Sequence, residues 1–326
     1  MKNYIIIGNG TAGANAAVQI RKRDKEGSII VFSRENYPFY YRPRLPDYIA
    51  GKVKPDDFIM HRLSQYENWN IDLRLGEDVS AVDPQKKEIC SSQSGTLHYD
   101  ELLLAVGSDC FIPPVPGNDK IGVVTLRTIK DADALISAAA KTKSAVIVGG
   151  GLLGLEAGWA LIQLGLKVEI IEFMDRLLPR QLDAEKAALL KEKLMAMGFS
   201  FHLPEKVKEV PGSGTAEGIV LESGKYIEGG IVLFSAGVRP NLKLARSIGL
   251  EIDKAIKVDE YMRTSIPGIW AAGDAVEFNG QPCGLWPIAM AEGNAAGASM
   301  AGELSSYIPK EPLIHLKIAG IDLMNL

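Results

Sequence analysis

The sequence predicts an α/β fold with two mainly parallel sheets, and two observations lead to this prediction. An apolar stretch at residues 4–7 runs directly into a glycine-rich turn at residues 8–13, and a helical pattern of small residues follows. The same order recurs at residues 145–164. A buried strand, such a turn and a helix are typical of the first βαβ unit of a dinucleotide-binding sheet. We therefore expect two Rossmann-like domains in this chain of 326 residues.

Composition and charge restrict the class of protein. The chain is 47% hydrophobic and carries a net charge of −4, with a pI of about 5.7. This balance favours a globular protein and argues against non-specific nucleic-acid binding, which needs a basic surface. The longest apolar runs are too short and too rich in glycine to cross a bilayer, so we expect no membrane association and a cytoplasmic location.

Cysteine and histidine are few and widely spaced. The cysteines form no C-x-x-C motif and no even-numbered set, which argues against a disulfide framework. The histidines lack cysteine or carboxylate neighbours at the spacing of zinc ligands, so we expect no metal site. These residues are Cys90, Cys110 and Cys283, and His61, His98, His202 and His315.

The first glycine turn carries three glycines with different expected roles. Gly8 permits the tight turn, Gly10 lets the backbone approach a pyrophosphate, and Gly13 lets the helix pack close to the strand. The apolar residues 28–32 supply the next strand, and Glu35 follows it as the nearest carboxylate able to accept from ribose hydroxyls. The alternative is that Glu35 is a surface acid in a turn.

The segment at residues 37–51 is dense in aromatic residues, arginine and proline. Proline restricts the backbone and arginine pairs with phosphate, so the composition favours a rigid loop laid over a bound cofactor. An ordinary aromatic-rich loop is the alternative.

The second glycine turn repeats the pattern with Gly149, Gly151 and Gly154. A helix from about residue 155 to residue 164 follows it. The spacing of the glycines is the same as in the first turn, so we expect the same three roles.

A further strand at residues 167–171 ends at Glu172. The spacing from the first glycine to this acid is close to the roughly twenty residues of the dinucleotide fingerprint. A carboxylate here accepts from a free 2′-hydroxyl and repels a 2′-phosphate, so we expect NADH in preference to NADPH. Arg176 and Arg180 follow and weaken that preference.

Three further predicted strands end in small residues, and they lie within residues 99–108, 229–241 and 264–278. A proline-rich stretch at residues 111–117 is typical of a crossing between domains. Ligands of open α/β sheets bind outside the carboxyl ends of the strands. Asp274 lies at such an end and is placed to bond the polyol chain of a cofactor. The alternative is that Asp274 caps the alanine-rich segment behind it.

Five motifs in this order resemble those of the FAD-dependent pyridine nucleotide oxidoreductases built like glutathione reductase. The resemblance covers nearly the whole chain, and Val106 stands where the family has threonine. The motifs are GNGTAG at 8–13, LLLAVGS at 102–108, GGGLLGLE at 149–156, SAGVRPN at 235–241 and TSIPGIWAAGDA at 264–275.

The resemblance implies an NADH domain inserted in a discontinuous FAD domain. The FAD domain would comprise residues 1–112 and 240–308, and the NADH domain residues 113–239. Residues 309–326 would begin a C-terminal interface domain that is mostly absent. We expect either a truncation or an early end of the reading frame to account for this.

The resemblance also implies which residues bind the two cofactors. The FAD contacts would be Gly8, Gly10, Gly13, Glu35, Arg42, Val79, Ala105, Gly107, Arg127, Gly273 and Asp274. The NADH contacts would be Gly149, Gly151, Gly154, Glu172 and Gly237.

The branches of this family differ in where electrons go after the flavin. Disulfide reductases and the single-cysteine enzymes place their redox thiols within the region 36–60, which contains no cysteine here. The branch that passes electrons singly to a protein metal centre remains. The stretch YYRPRL at 40–45 resembles the corresponding loop of NADH:rubredoxin reductases and of the flavin module in nitrite reductases.

Three residues near the flavin are implied by the same alignment. Related ferredoxin reductases carry a lysine that pairs with the acid at Glu156, and Asp47 occupies the lysine position here. We therefore expect Arg44 to be the partner of Glu156. Trp286 matches an aromatic position near the flavin, and packing in the core is its equally favoured alternative.

The family resemblance implies a reaction without a side-chain nucleophile. Hydride passes from NADH to FAD, and single electrons then pass to a small iron protein such as rubredoxin. The alternatives are an NADH oxidase that reduces oxygen to peroxide, and a flavin-bearing module or redox sensor of a larger complex such as nitrite reductase.

Overall fold

The computed structural model describes residues 1–282 and 284–309, together with residues 316, 318 and 321. The helices are α1 (Thr11–Arg23), α2 (Leu45–Ile49), α3 (Leu63–Asn68), α4 (Ile129–Ala139), α5 (Leu152–Gln163), α6 (Ala184–Ala196), α7 (Lys243–Ser247) and α8 (Trp286–Met300), with 3-10 turns at Arg42–Arg44 and Pro55–Phe58. The strands of the first third of the chain are β1 (Asn3–Ile7), β2 (Ser28–Ser33), β3 (Asp72–Leu75), β4 (Val79–Asp83), β5 (Glu88–Ser91), β6 (Gly95–His98), β7 (Glu101–Leu104) and β8 (Ser108–Cys110). The later strands are β9 (Val123–Val124), β10 (Ser144–Val148), β11 (Lys167–Ile171), β12 (Phe199–His202), β13 (Val207–Glu209), β14 (Gly218–Leu221), β15 (Tyr226–Glu228), β16 (Ile231–Phe234), β17 (Val238–Pro240), β18 (Ile256–Val258), β19 (Ile269–Ala271), β20 (Val276–Phe278) and β21 (Gln281–Pro282).

The described chain divides into two compact units. The first unit comprises residues 1–41, 59–109 and 239–309, and the second comprises residues 42–58 and 110–238. The chain therefore leaves the first unit twice and returns to it each time. The assignment of FAD to the first unit and NADH to the second stays a prediction.

Residues 42–58 depart from the predicted boundaries, which placed them in the FAD domain. The structure groups them with the second unit, where α2 packs against α4 and α5. The reason is apolar burial, because Leu45 and Ile49 of α2 are 2% and 1% exposed. The predicted interface-domain segment at 309–326 lies almost entirely outside the described residues.

The first unit is built on a five-stranded sheet in the order β19-β7-β1-β2-β3. All its pairings are parallel, with Ile5 opposite both Ile30 and Leu102. Side chains of β1 alternate between two apolar clusters, since Ile6 belongs to one and Ile7 to the other. A strand covered on both faces needs the continuous apolar run that the sequence shows. Two smaller sheets, β4-β5-β6 and β18-β20-β21, complete this unit.

Helices α1 and α8 pack closely because glycines line their contact. A Cβ atom on Gly293 would overlap the backbone of Ala12, and one on Gly297 would overlap the backbone of Ala16. Small residues on both helices thus allow their backbones to approach each other. The contact holds α8 beside the helix that follows the first glycine turn.

The second unit repeats the parallel design in a five-stranded sheet with the order β12-β11-β10-β16-β9. Its pairings are parallel, and Ile147 lies opposite Ile170 and Leu233. An antiparallel sheet of β13, β14 and β15 packs against it through an apolar cluster that includes Val146 and Ile219. The predicted fold class, with two Rossmann-like cores, is confirmed.

None of the helices in the described part of the chain has the length and apolar character of a membrane span. The predicted cytoplasmic location stays a prediction.

Candidate functional site

The carboxyl ends of three neighbouring strands carry the predicted FAD motifs of the first unit. The glycine turn follows β1, residues 105–108 follow β7, and Gly273 and Asp274 follow β19. These strands are adjacent and parallel, so the three turns lie at one edge of the sheet. This edge is where an open α/β sheet binds its ligand.

The first glycine turn has the backbone geometry that the sequence predicts. Gly8 has φ +112°, and a Cβ atom there would overlap the carbonyl oxygen of Ala105. A Cβ atom on Gly13 would overlap the carbonyl oxygen of Gly8. Around Gly10, by contrast, no atom lies within 4 Å of an added Cβ. Gly10 is also the N-cap of α1 and provides no side-chain cap, so the helix N-terminus is left for an anion.

The second glycine turn reproduces this geometry in the second unit. Gly149 has φ +124°, and its added Cβ would overlap the carbonyl oxygen of Ser235. Gly154 is pressed against the carbonyl oxygen of Gly149, while Gly151 faces open space and caps α5 without a side chain. Each unit therefore holds one cradle that fits the diphosphate of a dinucleotide.

Glu35 follows β2 and Glu172 follows β11, and the two acids have different hydrogen-bond partners. Glu172 is 9% exposed, and its carboxylate accepts from the N–H groups of Gly150 at 2.6 Å and Met174 at 2.7 Å. Glu35 is only half-buried and accepts from the Tyr40 hydroxyl at 2.6 Å. Glu172 is thus tied to the glycine turn itself, which puts its carboxylate at the predicted nucleotide site.

Asp274 lies in a hydrogen-bonded cluster of side chains. Its carboxylate accepts from the Ser108 hydroxyl at 2.8 Å, and the N–H of the preceding Gly273 donates to Glu292 at 2.8 Å. Burial raises the pKa of the Glu292 carboxyl to about 8, and the charge of Asp274 adds to the shift. The alternative prediction that Asp274 caps a helix is wrong, because α8 begins only at Trp286 and strand β20 follows the aspartate.

Asn9 in the first glycine turn is a functional candidate that the sequence did not reveal. Its side chain is 9% exposed, and its amide oxygen accepts from the Tyr66 hydroxyl at 2.8 Å. Tyr66 is 2% exposed, and burial raises the pKa of its hydroxyl. The bond joins residues 57 positions apart, so no local pattern could have indicated it.

Comparison with known proteins identifies the family. A family model described as pyridine nucleotide-disulphide oxidoreductase matches residues 2–293. The chain belongs to this family. FAD and NADH are the cofactors that this membership implies, and the two glycine cradles fit their diphosphates.

Several relatives match nearly the whole length of this chain. A Bacillus subtilis nitrite reductase described as NAD(P)H-dependent is 35% identical over 99% of the chain, which covers 40% of that protein. An NADH oxidase of Methanocaldococcus jannaschii is 36% identical over 94% of the chain and 71% of its own length. The chain spans 40% or less of the nitrite reductases it matches.

Solved structures show the same architecture. The NADH:rubredoxin oxidoreductase of Clostridium acetobutylicum superposes with a TM-score of 0.86 at 32% identity, over 98% of this chain and 80% of that one. An NAD-dependent persulfide reductase from A. fulgidus gives a TM-score of 0.89 at 31% identity, over 94% and 60% of the two chains.

The predicted pair of Arg44 and Glu156 stays a prediction. Arg44 Nε lies 3.2 Å from the carboxylate of Asp47, its i+3 neighbour. Arg44 is the N-cap residue of α2 and Asp47 lies in the first turn, so the nearer acid takes the guanidinium. Glu156 is 8% exposed on α5, and its role beside the flavin stays a prediction.

Arg42 and Arg127, both predicted FAD contacts, lie together in the second unit. Arg42 Nη1 donates to the carbonyl oxygen of Arg127 at 2.7 Å. The 3-10 turn at Arg42–Arg44 therefore meets the segment before α4. Their contacts with FAD stay predictions.

Trp286 packs among aromatic side chains of the first unit. Its ring stacks on Phe39 with centroids 5.4 Å apart and meets Tyr41 edge-on at 4.8 Å. This favours the packing hypothesis for Trp286. The proline-rich loop that begins at residue 37 is thus anchored on α8 through Phe39 and Tyr41, as expected of a rigid loop.

The remaining predicted contacts occupy varied positions. Val79 is 3% exposed in the same apolar cluster as Phe32, so its side chain belongs to the core. Gly107 and Gly237 have φ of +69° and +92°, and their carbonyl oxygens accept from backbone N–H groups of their own units. Their contacts with the cofactors stay predictions.

The cysteines in the described residues show no sign of an activated thiol. Burial raises the pKa of the Cys110 thiol, which disfavours the reactive thiolate. Cys90 is exposed on β5, and Cys283 lies outside the described residues. In the described part of the chain no three His, Cys, Asp or Glu side chains cluster as metal ligands.

Proposed function

We propose that the protein is an NADH-dependent flavoprotein reductase that delivers electrons to a small iron protein of the rubredoxin type. The observation that carries the proposal is the cysteine-free segment 36–60, because thiol-dependent members of the family are expected to carry their redox cysteine there. Two relatives named as rubredoxin reductases support it. One is 31% identical over 99% of this chain, and the other is 32% identical over 98% of it.

Bound FAD supplies a flavin that takes hydride from NADH and gives up the two electrons singly. The protein's part is binding and positioning. Gly10 and the N-terminus of α1 hold the FAD diphosphate, and Asp274, fixed by Ser108, orients the ribitol chain. Arg42 and Arg127 are further proposed FAD contacts.

The second cradle binds NADH in this proposal. Gly151 and the N-terminus of α5 receive the diphosphate, and the Glu172 carboxylate accepts from the ribose hydroxyls. A 2′-phosphate would meet the negative charge of Glu172, which favours NADH over NADPH.

Stopped-flow absorbance of the FAD-loaded chain tests the proposal. NADH should bleach the flavin band, and oxidised rubredoxin should restore it much faster than air does. A chain that binds FAD but is not bleached by NADH contradicts the reductase function.

Two relatives favour two alternative functions. The 36% identity to an NADH oxidase favours oxygen, and the 40% coverage of a nitrite reductase favours a role as the flavin module of a longer enzyme. Fast reoxidation by air with formation of peroxide would support the oxidase. Bleaching by NADH followed by slow reoxidation with both rubredoxin and air would support the module.

A further inference from the structure

Glu292 is a buried acid for which the proposed reaction has no use. It lies on α8, is 4% exposed, and accepts the N–H of Gly273 at 2.8 Å. Gly273 has φ +84° and precedes Asp274. An acid buried to this extent normally has a cationic partner.

Within the described residues, the elements packed against Glu292 supply no such cation. Helix α1 contributes Ala12 and Ala16 to its contact with α8, and its basic residues lie in its last turn. Of these, Arg21 donates to four backbone carbonyl oxygens, and Arg23 pairs with Glu303. Lys22 is exposed. Among the described residues, the charge that shifts the pKa of Glu292 is that of Asp274, after β19, which is negative.

We propose that Glu292 is a positioning residue of the FAD site, which fixes the Gly273–Asp274 turn through its hydrogen bond to the Gly273 N–H. The inference rests on the proposed role of Asp274 in holding the ribitol chain. Ser108 restrains the Asp274 side chain from β8, and Glu292 restrains its backbone from α8. Two elements far apart in the sequence thereby orient one carboxylate.

The protonation of Glu292 gives this role a pH signature. Its pKa of about 8 keeps the side chain neutral at pH 7. Ionisation places a second negative charge beside Asp274, at an edge where the FAD diphosphate brings more negative charge. FAD therefore binds best to the protonated form, and its affinity falls as the pH rises through about 8.

The test measures the dissociation constant of FAD on the deflavinated full chain between pH 6 and pH 9, by flavin fluorescence. For the wild type we expect the constant to rise about tenfold between pH 7 and pH 9. Glu292→Gln keeps a carbonyl oxygen for the Gly273 N–H but cannot ionise. It should bind FAD within about twofold of the wild type at pH 6 and show no such rise.

Glu303→Gln is the matched control, because Glu303 is an exposed acid that pairs with Arg23. It should keep the wild-type pH profile. Glu292→Ala removes the acceptor and should weaken FAD binding at every pH. If Glu292→Ala does not fold, the pH dependence of FAD binding by Glu292→Gln still tests the inference.

Two outcomes overturn the inference: a Glu292→Gln profile that follows the wild type, or loss of FAD by that variant at pH 6. A purely structural role would lower the melting temperature of the apoprotein without moving the pH profile of FAD binding. Failure of the proposed reductase is separate, since it shows as FAD that binds with the expected profile but is not bleached by NADH.

Discussion

The two glycine turns of this protein share their backbone geometry but differ in what surrounds them. In both, the first glycine is pressed against a neighbouring strand end, the third against the first, and the second faces open space. The residue between the first two glycines is Asn9 in one turn and Gly150 in the other. Asn9 is held by Tyr66 from a distant segment, whereas Gly150 is held by Glu172 at the end of the next strand.

The surroundings of the two turns differ in how far along the chain their contacts come from. The first turn is enclosed by long-range contacts, with Tyr66 on Asn9 and α8 packed on α1 through Gly293. In the second turn Gly150 is held by Glu172 from within its own βαβ unit, and Gly149 lies against Ser235 after β16. We infer that the first turn, with its added contacts from Tyr66 and α8, suits a permanently bound FAD, and that the second turn suits a coenzyme that enters and leaves.

Substitution of alanine for the third glycine of each turn should cause the largest loss of stability. In Gly13→Ala and Gly154→Ala the new methyl group overlaps a carbonyl oxygen, which should cost about 3 kcal/mol of unfolding free energy. Urea unfolding of the apoprotein measures this loss. Gly154→Ala should still bind FAD, and loss of FAD from that variant would show that the turns are not independent.

Alanine at the second glycine should separate binding from stability. Gly10 and Gly151 have φ of −80° and −82°, and an added Cβ meets nothing within 4 Å. Each variant should therefore lose about 1 kcal/mol of stability or less. Gly10→Ala should weaken FAD binding about a hundredfold, or about 2.7 kcal/mol, because its methyl group occupies the diphosphate space.

Gly151→Ala is the counterpart in the second turn. It should keep FAD and raise the KM for NADH by a similar factor in stopped-flow bleaching. Equal cofactor losses in both variants would contradict the assignment of one cofactor to each turn.

Replacement of Glu35 or Glu172 by glutamine should test which acid sets the preference for NADH over NADPH. Glu172→Gln removes the charge that repels a 2′-phosphate, so the NADH to NADPH ratio of kcat/KM should fall about tenfold. The variant also loses one backbone acceptor, but that loss affects both coenzymes alike. Glu35→Gln should leave the ratio unchanged, and a fall in that variant would reverse the assignment of the two turns.

Removal of the Tyr66 hydroxyl should give the smallest effect. Tyr66→Phe leaves the buried amide oxygen of Asn9 without its donor, which should cost about 1 kcal/mol in unfolding free energy and weaken FAD binding about fivefold. Tyr226→Phe is the control, because its hydroxyl lies on an exposed side chain and donates to the Glu217 carbonyl. An unchanged FAD affinity in Tyr66→Phe would remove the contact that distinguishes the first turn.

The two parallel sheets, the two glycine turns and the acids that follow the second strands were all predictable from the amino-acid sequence. These features depend on neighbours in the chain, since an apolar run forms a strand covered on both faces and glycine spacing sets the turn. The backbone roles of Gly8 and Gly13 were predicted from the glycine spacing alone. Gly13 lies against Gly8 within one βαβ unit, whereas Gly8 also lies against Ala105, which follows the neighbouring strand β7.

The distant side chains that complete the site could be identified only from the folded structure. Glu292 on Gly273, Ser108 on Asp274 and Tyr66 on Asn9 join separate segments, and single-sequence patterns carry no signal for such pairs. Arg44 shows the converse, because it pairs with Asp47 within its own turn. Local sequence patterns thus specified the two parallel sheets and their glycine turns. The packing of elements far apart in the chain specified which polar groups meet at the edges of those sheets.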